Sequence, residues 1–294
     1  MGINLKAILK HPVFLILVGT FISCSALFYN GYPLVYPDTG TYIRSGFRMF
    51  FPDDRPIFYG IFIRHVSLYH SLWFVIIFQS WILSYLIYKA LVMFIIKNKM
   101  PIWYVGSICF ITIFTSYSFQ TGILIPDVFT AVSILCLVIL LFDTNLLKIE
   151  RIGIYLLFVF SVLSHFSNVI ILMSLIPVIY LINYRNKRKN NYFIKLSRMY
   201  SLIIIFIISI FIYPTTNYFG GKGFVISNSS HVFIMNHLEE IGLVNVFLKE
   251  NCDEANTYRY CDYIDDTTFD FVWDKESPYT KQEDGKRIKK NTMK

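Results

Sequence analysis

The sequence predicts an all-α membrane protein with about seven transmembrane helices, an interfacial helix in the first external loop and a small extracytoplasmic C-terminal segment. Three observations support this prediction. Hydrophobic residues make up 55% and aromatic residues 18% of the 294 positions. Several apolar runs reach the roughly 18 residues that cross a bilayer. The charged residues gather in the segments between these runs, as they do in polytopic proteins.

The formal net charge of +8 has a topological explanation. In a soluble protein such a charge would point to nucleic acid. Here the lysines and arginines cluster in loops between apolar runs, which is typical of the cytoplasmic loops of membrane proteins. We therefore expect the lipid bilayer, and no nucleic acid, as a partner. The richness in Ile, Phe, Tyr, Asn and Lys is typical of an AT-rich bacterial genome.

The first three apolar regions predict four helices. Lys6 and Lys10 precede the first run and no small-residue cleavage site follows it, so we predict an uncleaved signal-anchor helix at about 12–29. A second helix covers about 71–96 and ends at "KNK". Residues 101–142 are too long for one span and contain the polar stretch "TSYSFQTGILIPD", so they predict a hairpin of two helices.

The segment 152–183 decides the topology. As one helix it would be about 48 Å long, far beyond a hydrocarbon core of about 30 Å. Its centre reads "SHFSN", and such polar residues are unfavourable at mid-bilayer, so we predict two helices that meet there near the outer surface. The next loop, "NYRNKRKNNYFIKLSR", carries six Lys or Arg residues. Only the two-helix interpretation leaves this loop on the same side as Lys97 and Lys99.

A seventh helix at about 200–214 returns the chain to the outer face. The sequence thus predicts a polytopic membrane domain, residues 1–215, with its first external loop at 30–70. An extracytoplasmic segment, 216–279, and a disordered basic tail, 280–294, follow.

This organisation predicts a multi-pass protein of a bacterial inner membrane, with a cytoplasmic N-terminus and an extracytoplasmic C-terminus. Because that compartment is oxidising, we expect a disulfide between Cys252 and Cys261. The other three cysteines, Cys24, Cys109 and Cys136, lie inside apolar runs and are expected to be small core residues.

The first external loop reads "YPDTGTYI" and then "DDRPIFYGIFIRHV" before the second helix. It resembles the first external loop of the C-type (GT-C) integral membrane glycosyltransferases, and the chain is similar to poorly characterised bacterial polytopic members of that superfamily. There, an acidic residue stands near a tyrosine after the first helix, and Arg-Pro introduces an interfacial helix. Asp38 with Tyr42 matches the first feature. Arg55, followed by proline, matches the second, before an interfacial helix at 57–70.

The resemblance implies transfer of a sugar from a polyprenyl-phosphate carrier to an extracytoplasmic glycan, lipid or protein acceptor. Such transfer needs a carboxylate that activates the acceptor hydroxyl and cations or a divalent metal ion at the departing phosphate. Asp38 is the expected catalytic carboxylate, and the metal contact if a metal ion takes part. The expected substrate-binding residues are Arg55, Tyr42, His165, Asp127, Arg44 and Arg48.

Each of these residues has a structural alternative. Asp38 belongs to "YPDTG", which is good turn chemistry in any protein. Asp127 would cap the helix that follows it, and Asp53 and Asp54 would cap the interfacial helix. The arginines would snorkel to lipid headgroups. His165 would be a polar residue of a helix junction.

Two other functions stay open. One is a transporter or flippase of a lipid-linked glycan, against which charged residues within the spans are scarce. The other is a non-catalytic or truncated assembly subunit. The C-terminal segment around "WDKESP" resembles a segment that is followed by further membrane helices, whereas this chain runs into a lysine-rich tail.

Overall fold

The computed structural model describes residues 9–188, 194–227, 229–252 and 261. In these ranges the protein is all-helical, as predicted, and contains no strand. The helices are α1 Pro12–Ser23, α2 Ser25–Asn30, α3 Thr39–Arg48, α4 Phe58–Val66, α5 Trp73–Val92, a 3-10 turn Lys97–Lys99, α6 Met100–Phe114, α7 Tyr117–Gly122, α8 Val128–Phe142, α9 Lys148–Ser164, α10 Phe166–Arg188, α11 Leu196–Phe219, α12 Ser230–Glu240 and α13 Leu243–Asn251.

Three helices in the described ranges are long and apolar enough to cross a membrane: α5, α10 over Phe166–Arg185, and α11. Helices α1 and α8 are also apolar but shorter. The prediction of a membrane protein with transmembrane helices is supported at this level. Which of the shorter helices also cross is a separate question, because length alone does not decide it.

The long apolar segments are interrupted where polar residues predicted a break. Helix α9 ends at Ser164 and α10 begins at Phe166, so the segment 152–183 forms two helices, as predicted. Between them His165 is extended, with φ −150° and ψ 132°. Residues 101–142 likewise form α6 and α8, with the short α7 in the polar stretch between them.

The first apolar run differs from the prediction because it is two helices rather than one. The interruption is at Cys24, where φ is −84° and ψ is 6°. The hydroxyl of the preceding Ser23 donates to the carbonyl oxygen of Gly19 at 2.8 Å, and it lies 3.0 Å from the Tyr117 hydroxyl, which can donate to it. Serine bonds of this kind compete with the helix ladder and bend it.

The last apolar helix also differs, because α11 continues through Pro214 to Phe219. The proline removes one backbone donor from the helix. The hydroxyls of Thr215 and Thr216 donate to carbonyl oxygens one turn earlier, at 2.8 and 2.9 Å. These bonds are made to the carbonyl oxygens of Phe211 and Ile212, and the helix continues through the proline without a break.

One apolar core joins α4, α5, α8, α9, α10 and α11. The pair α8–α9 forms its centre, with Phe129 and Phe158 fully buried, and packs against α5 and α11. A smaller cluster joins α1 to α6 through Leu15, Tyr104 and Ile108. The polar loop between α2 and α4 therefore lies against a bundle of apolar helices.

Buried polar side chains tie this bundle to α7. Gln79 on α5 accepts a hydrogen bond from the Tyr59 hydroxyl at 3.1 Å. Its amide donates to the carbonyl oxygens of Thr121 and Ile123, at 2.7 and 3.0 Å. The Thr121 hydroxyl donates to the carbonyl oxygen of Ser23 at 2.8 Å. Because an unpaired polar group in apolar surroundings is unfavourable, these bonds fix α7 against α1 and α5.

Helices α3 and α4 cross at two glycines. A Cβ atom on Gly46 would lie 1.9 Å from the carbonyl oxygen of Gly60, and one on Gly60 would lie 2.2 Å from the Ser45 hydroxyl. This approach lets the rings of Tyr42 and Tyr59 meet edge to face, with centroids 5.2 Å apart. The two glycines therefore set the distance between the helices that flank the polar loop.

Helix α4 lies within the predicted interval 57–70 but ends at Val66. Leu68 and Tyr69 follow with φ of 51° and 57°. Such left-handed values are uncommon for residues with a side chain. They turn the chain sharply from α4 towards α5.

Residues 227–294 form a second unit, distinct from residues 1–226. Its described part consists of α12 and α13, which pack on each other and meet at Gly242, whose φ of 78° favours glycine. Cys252 and Cys261 form the predicted disulfide, with Cα atoms 5.8 Å apart. The predicted basic tail, 280–294, lies outside the described residues.

We expect Gly46→Ala to destabilise the protein, because the added methyl group meets the backbone of α4 and overpacking of this kind costs about 1–3 kcal/mol. The matched control is Gly106→Ala on α6, where a Cβ meets nothing within 4 Å and alanine favours the helix. The measurement is the Tm of the purified protein in detergent, which should fall for Gly46→Ala and stay equal or rise for Gly106→Ala. Equal Tm values for the two variants would contradict a tight crossing.

Candidate functional site

The first external loop is anchored to the segment that leads into α8. Leu34 pairs through both its N–H and its C=O with residues 122–124, each bond 3.0 Å long. The Thr39 hydroxyl donates to a backbone carbonyl of the same segment at 3.0 Å. These bonds hold Asp38, directly before α3, on the same part of the molecule as Asp127, directly before α8.

Arg55 is the centre of the site. Its Nη1 lies 2.9 Å from Asp38 Oδ1, and its Nε and Nη2 donate to Asp54 Oδ2 at 2.8 and 2.5 Å. The Arg55 side chain is only 10% exposed, and a buried guanidinium requires such partners. Burial disfavours its charged form, but the hydrogen bond and charge of Asp54, together with the ion pair to Asp38, outweigh it. The pKa of Arg55 is raised, so this residue is a permanent cation.

The carboxylates of Asp38 and Asp127 do not cap helices. Each residue occupies the N-cap position, before α3 and α8 respectively, and neither side chain makes a capping hydrogen bond. The capping alternative for Asp127 is therefore wrong. The Asp38 side chain is 41% exposed, and its recorded partner is Arg55. It remains accessible to a molecule that arrives from solvent.

Tyr42 covers the guanidinium of Arg55. The Arg55 Cζ atom lies 5.2 Å from the centroid of the Tyr42 ring, a cation–π distance. Burial raises the pKa of Tyr42, the charge of Arg55 opposes this only in part, and the charge of Asp38 adds to it. Tyr42 is therefore a neutral phenol that orients Arg55 rather than a base.

His165 is a neutral donor at the junction of α9 and α10. The backbone N–H of Ser167 donates to its Nδ1 at 3.2 Å, and the Ser167 hydroxyl lies 2.5 Å from the same atom. Because a backbone N–H can only donate, Nδ1 is unprotonated and the ring proton is on Nε2. Burial lowers the pKa of His165. The charge of Asp127 offsets part of this effect and that of Arg55 adds to it.

Residues from three separate connections lie in one region of the protein. The charges of Asp127, Arg55 and Asp38 all act on His165, and those of Arg55, Asp38 and Asp127 act on Tyr42. Screening limits such effects to separations of about 10 Å at an ionic strength of 0.1 M, so these groups lie within electrostatic range of one another. We call these residues the polar cluster: Asp38, Tyr42, Arg55, Asp127 and His165.

The other two predicted phosphate contacts lie elsewhere on α3. Arg44 follows the buried Tyr42 by two positions, so it points to a different face of the helix, and its guanidinium lies 5.3 Å from the Phe50 ring centroid. Arg48 is exposed in the last turn. Within the described residues neither contacts the polar cluster, and their role in substrate binding stays a prediction.

Asn168 is a structural residue of the site that the sequence analysis missed. It is fully buried, its amide donates to the carbonyl oxygen of Ser161 at 2.7 Å, and it accepts from the Thr130 hydroxyl at 2.6 Å. It thereby joins α8, α9 and α10 next to His165. The signal was its place in "SHFSN", because a polar residue inside an apolar run needs a partner.

The Asp53–Lys222 ion pair was also missed. Lys222 Nζ lies 2.7 Å from Asp53 Oδ1 and 5.7 Å from the centroid of the Phe50 ring. At the end of α11, a Cβ on Gly220 would lie 2.6 Å from the Phe51 ring. The connection after α11 therefore packs on the first external loop, and Asp53 does not cap α4.

An apolar groove of about 430 Å³ lies beside the C-terminal end of α4, the end opposite Arg55. It is formed by α1, the end of α4 and α5. Its walls include Leu17, Val66, Phe74, Ile77, Phe78 and Trp81. A hydrocarbon chain is the kind of ligand that such walls accept.

The surroundings of Asp38 do not fit a metal ion. In the part of the chain that the structure describes, no group of three His, Cys, Asp or Glu residues is arranged to hold one. The positive charge next to Asp38 is the Arg55 guanidinium, at 2.9 Å. We therefore derive no step through a metal.

The chemistry available is that of an accessible carboxylate, a buried cation and two neutral donors. Arg55 and the Nε2–H of His165 can bind the oxygens of an anion. Asp38 can accept a proton from a hydroxyl group. The polar cluster is therefore suited to a reaction in which a hydroxyl is deprotonated and negative charge develops nearby.

The lowered pKa of His165 predicts a pH dependence of stability. The unfolded chain, with an ordinary histidine pKa of 6.5, binds a proton more readily than the folded protein, so the free energy of unfolding should fall as the pH falls through about 6.5. Tm measured from pH 7.5 to 5.5 should decrease less steeply in His165→Asn than in the wild type. The exposed His65 provides the control, and a His65→Asn curve as flat as that of His165→Asn would contradict the assignment.

No family model, curated protein or solved structure matches the chain. The polar cluster and its geometry are therefore the observations from which a function is proposed.

Proposed function

We propose that this protein is an integral membrane glycosyltransferase of the C-type, which transfers a sugar from a polyprenyl-phosphate carrier to an acceptor on the outer side of a bacterial inner membrane. The observation that carries the proposal is the contact between the accessible carboxylate of Asp38 and the buried guanidinium of Arg55. A proton acceptor beside a fixed cation is the combination that glycosyl transfer from a phosphate requires.

In this reaction Asp38 takes the proton of the acceptor hydroxyl as that oxygen bonds to the anomeric carbon of the sugar. The bond between this carbon and the phosphate oxygen breaks, and its electron pair leaves with the phosphate. Arg55 and the Nε2–H of His165 stabilise the negative charge that develops there. Asp127, exposed at the start of α8, accepts hydrogen bonds from sugar hydroxyls.

The carrier chain would use the apolar groove. Arg55 precedes α4 and Val66 ends it, and nine helical residues span about 13 Å. A lipid whose phosphate is bound at Arg55 would run along α4 to reach the groove. This path suits a helix that lies in the membrane interface, with its apolar face towards the hydrocarbon.

The proposed function needs the polar cluster on one side of the membrane. We propose that α1, α6, α8 and α9 cross in addition to the three longer helices. The connections that carry Asp38, Asp127 and His165 then share the outer side. The basic residues of 97–99 and 183–198 share the cytoplasmic side, as the positive-inside rule requires.

A matched pair of cysteines tests the seven-span topology. In a Cys109→Ser background, Ser116→Cys before α7 and Thr144→Cys after α8 are both exposed positions. In spheroplasts a membrane-impermeant maleimide should label Ser116→Cys and should label Thr144→Cys only after permeabilisation. If α5, α10 and α11 were the only spans, both positions would lie on one side and would label alike.

Native mass spectrometry of the purified protein tests the ligand. We expect the wild type to carry a polyprenyl-phosphate, Arg55→Ala to lose it, and Asp38→Asn to keep it while losing turnover of added lipid-linked sugars. A loss of at least 10-fold is expected for removing a buried anion contact. The control is Arg151→Ala, because Arg151 lies near the start of α9 and His165 directly follows its end.

Three outcomes would contradict the proposal. A wild-type protein that binds no such lipid would favour transport or an assembly role instead. Equal loss of lipid from Arg151→Ala and Arg55→Ala would show that the binding is not localised at the polar cluster. Full activity of Asp38→Asn would remove Asp38 as the base.

A further inference from the structure

The two carboxylates on Arg55 hold it unequally. Asp54 accepts hydrogen bonds from two guanidinium nitrogens. Asp38 lies at ion-pair distance from Nη1, but no N–H of that nitrogen points at it as a hydrogen bond would. Nη1 is buried and donates no hydrogen bond within the described residues. The edge of the guanidinium that carries Nε and Nη2 is therefore held by Asp54, whereas Nη1 can still donate hydrogen bonds.

The exposure of the three side chains follows the same order. Asp38 is 41% exposed, Asp54 24% and Arg55 10%. Tyr42 covers one face of the guanidinium and Asp54 holds its Nε–Nη2 edge. Nη1 is buried, so a ligand reaches it when the exposed Asp38 side chain moves aside. An acceptor atom that reaches Nη1 satisfies a buried donor, which is a favourable exchange.

Charge decides what happens to Asp38 when an anion arrives. The polar cluster and Asp54 contain three carboxylates, of Asp38, Asp54 and Asp127, against one guanidinium. A phosphate oxygen on Nη1 would lie close to Asp38 Oδ1, and like charges repel strongly where water is excluded. Asp38 is the carboxylate that can give way, because it is exposed and makes no capping bond.

Building on the proposed function, we propose that Arg55 exchanges partners: an anionic oxygen of the carrier takes Nη1 from Asp38, while Asp54 keeps the guanidinium in place. Asp54 is thus a positioning residue. While Asp38 Oδ1 lies 2.9 Å from Nη1, that oxygen faces the guanidinium and is not available to a hydroxyl group. Displacement frees Asp38 to accept a proton, so the phosphate carrier binds first and the hydroxyl is activated afterwards.

Sulfate is a suitable probe, because it is a divalent tetrahedral anion that keeps its charge between pH 5 and 8. The apparent Kd of the full chain follows from the saturable part of the rise of Tm with sulfate concentration, because the general stabilising effect of sulfate does not saturate. We expect Asp38→Asn to tighten binding about 10-fold, because the competing charge on Nη1 is gone. Asp127→Asn is the matched control, since it removes the same charge without contacting Arg55. It measures the effect of charge alone, and that effect should be several-fold smaller than the effect of Asp38→Asn.

Variants of Arg55 separate this inference from the proposed function. Arg55→Gln should weaken sulfate binding at least 10-fold, and Arg55→Lys, which keeps the charge, serves if the glutamine variant does not fold. If Arg55 variants weaken binding but Asp38→Asn and Asp127→Asn agree within twofold, the exchange is wrong and the anion site stands. If Arg55 variants bind sulfate as the wild type does, both the exchange and the proposed anion site are wrong.

Discussion

The contact between the backbones of α3 and α4 is the constraint on which the site depends. Because neither Gly46 nor Gly60 has a side chain, the helices approach until a Cβ on either would overlap the other. That distance sets the edge-to-face contact of Tyr42 with Tyr59. Tyr42 in turn covers Arg55, which lies in the loop just before α4. The position of the cation therefore follows from the helix crossing.

A buried guanidinium explains why so polar a loop sits on an apolar bundle. Removing a charge from water is strongly unfavourable unless partners replace the water. The loop supplies these partners itself: Asp38 pairs with Nη1 of Arg55, and Asp54, the residue directly before Arg55 in the chain, pairs with Nη2. The aspartates thus compensate the burial of the cation, and any function of the site uses groups that the loop already requires for its stability.

The sequence predicted the features that follow from length and from the placement of polar residues in apolar runs. The break at His165 is of this kind, because one straight helix would have been too long for a bilayer. The place of Asp38 and Arg55 in one site was expected from a short motif, not from periodicity, and their direct contact was not predicted. The role of Asn168 and the Asp53–Lys222 pair were both missed. The pair joins residues 169 positions apart, and it depends on the packing of α11. Two glycines in α3 and one in α4 likewise give no repeated pattern from which a crossing could be predicted.

Rigidity is distributed unevenly over the site, and this has a chemical consequence. The loop is tied to residues 122–124 by backbone bonds, to Lys222 by an ion pair and, through Tyr59, to Gln79 in the buried network. A framework held at three places keeps donors in position without rearrangement during a reaction. The Asp38 carboxylate is the exception, since it is accessible and its partner is Nη1 of Arg55, which donates no hydrogen bond to it. A proton acceptor must be able to move towards its substrate, whereas a cation that stabilises a leaving group must not. The fold provides that difference within a single pair of residues.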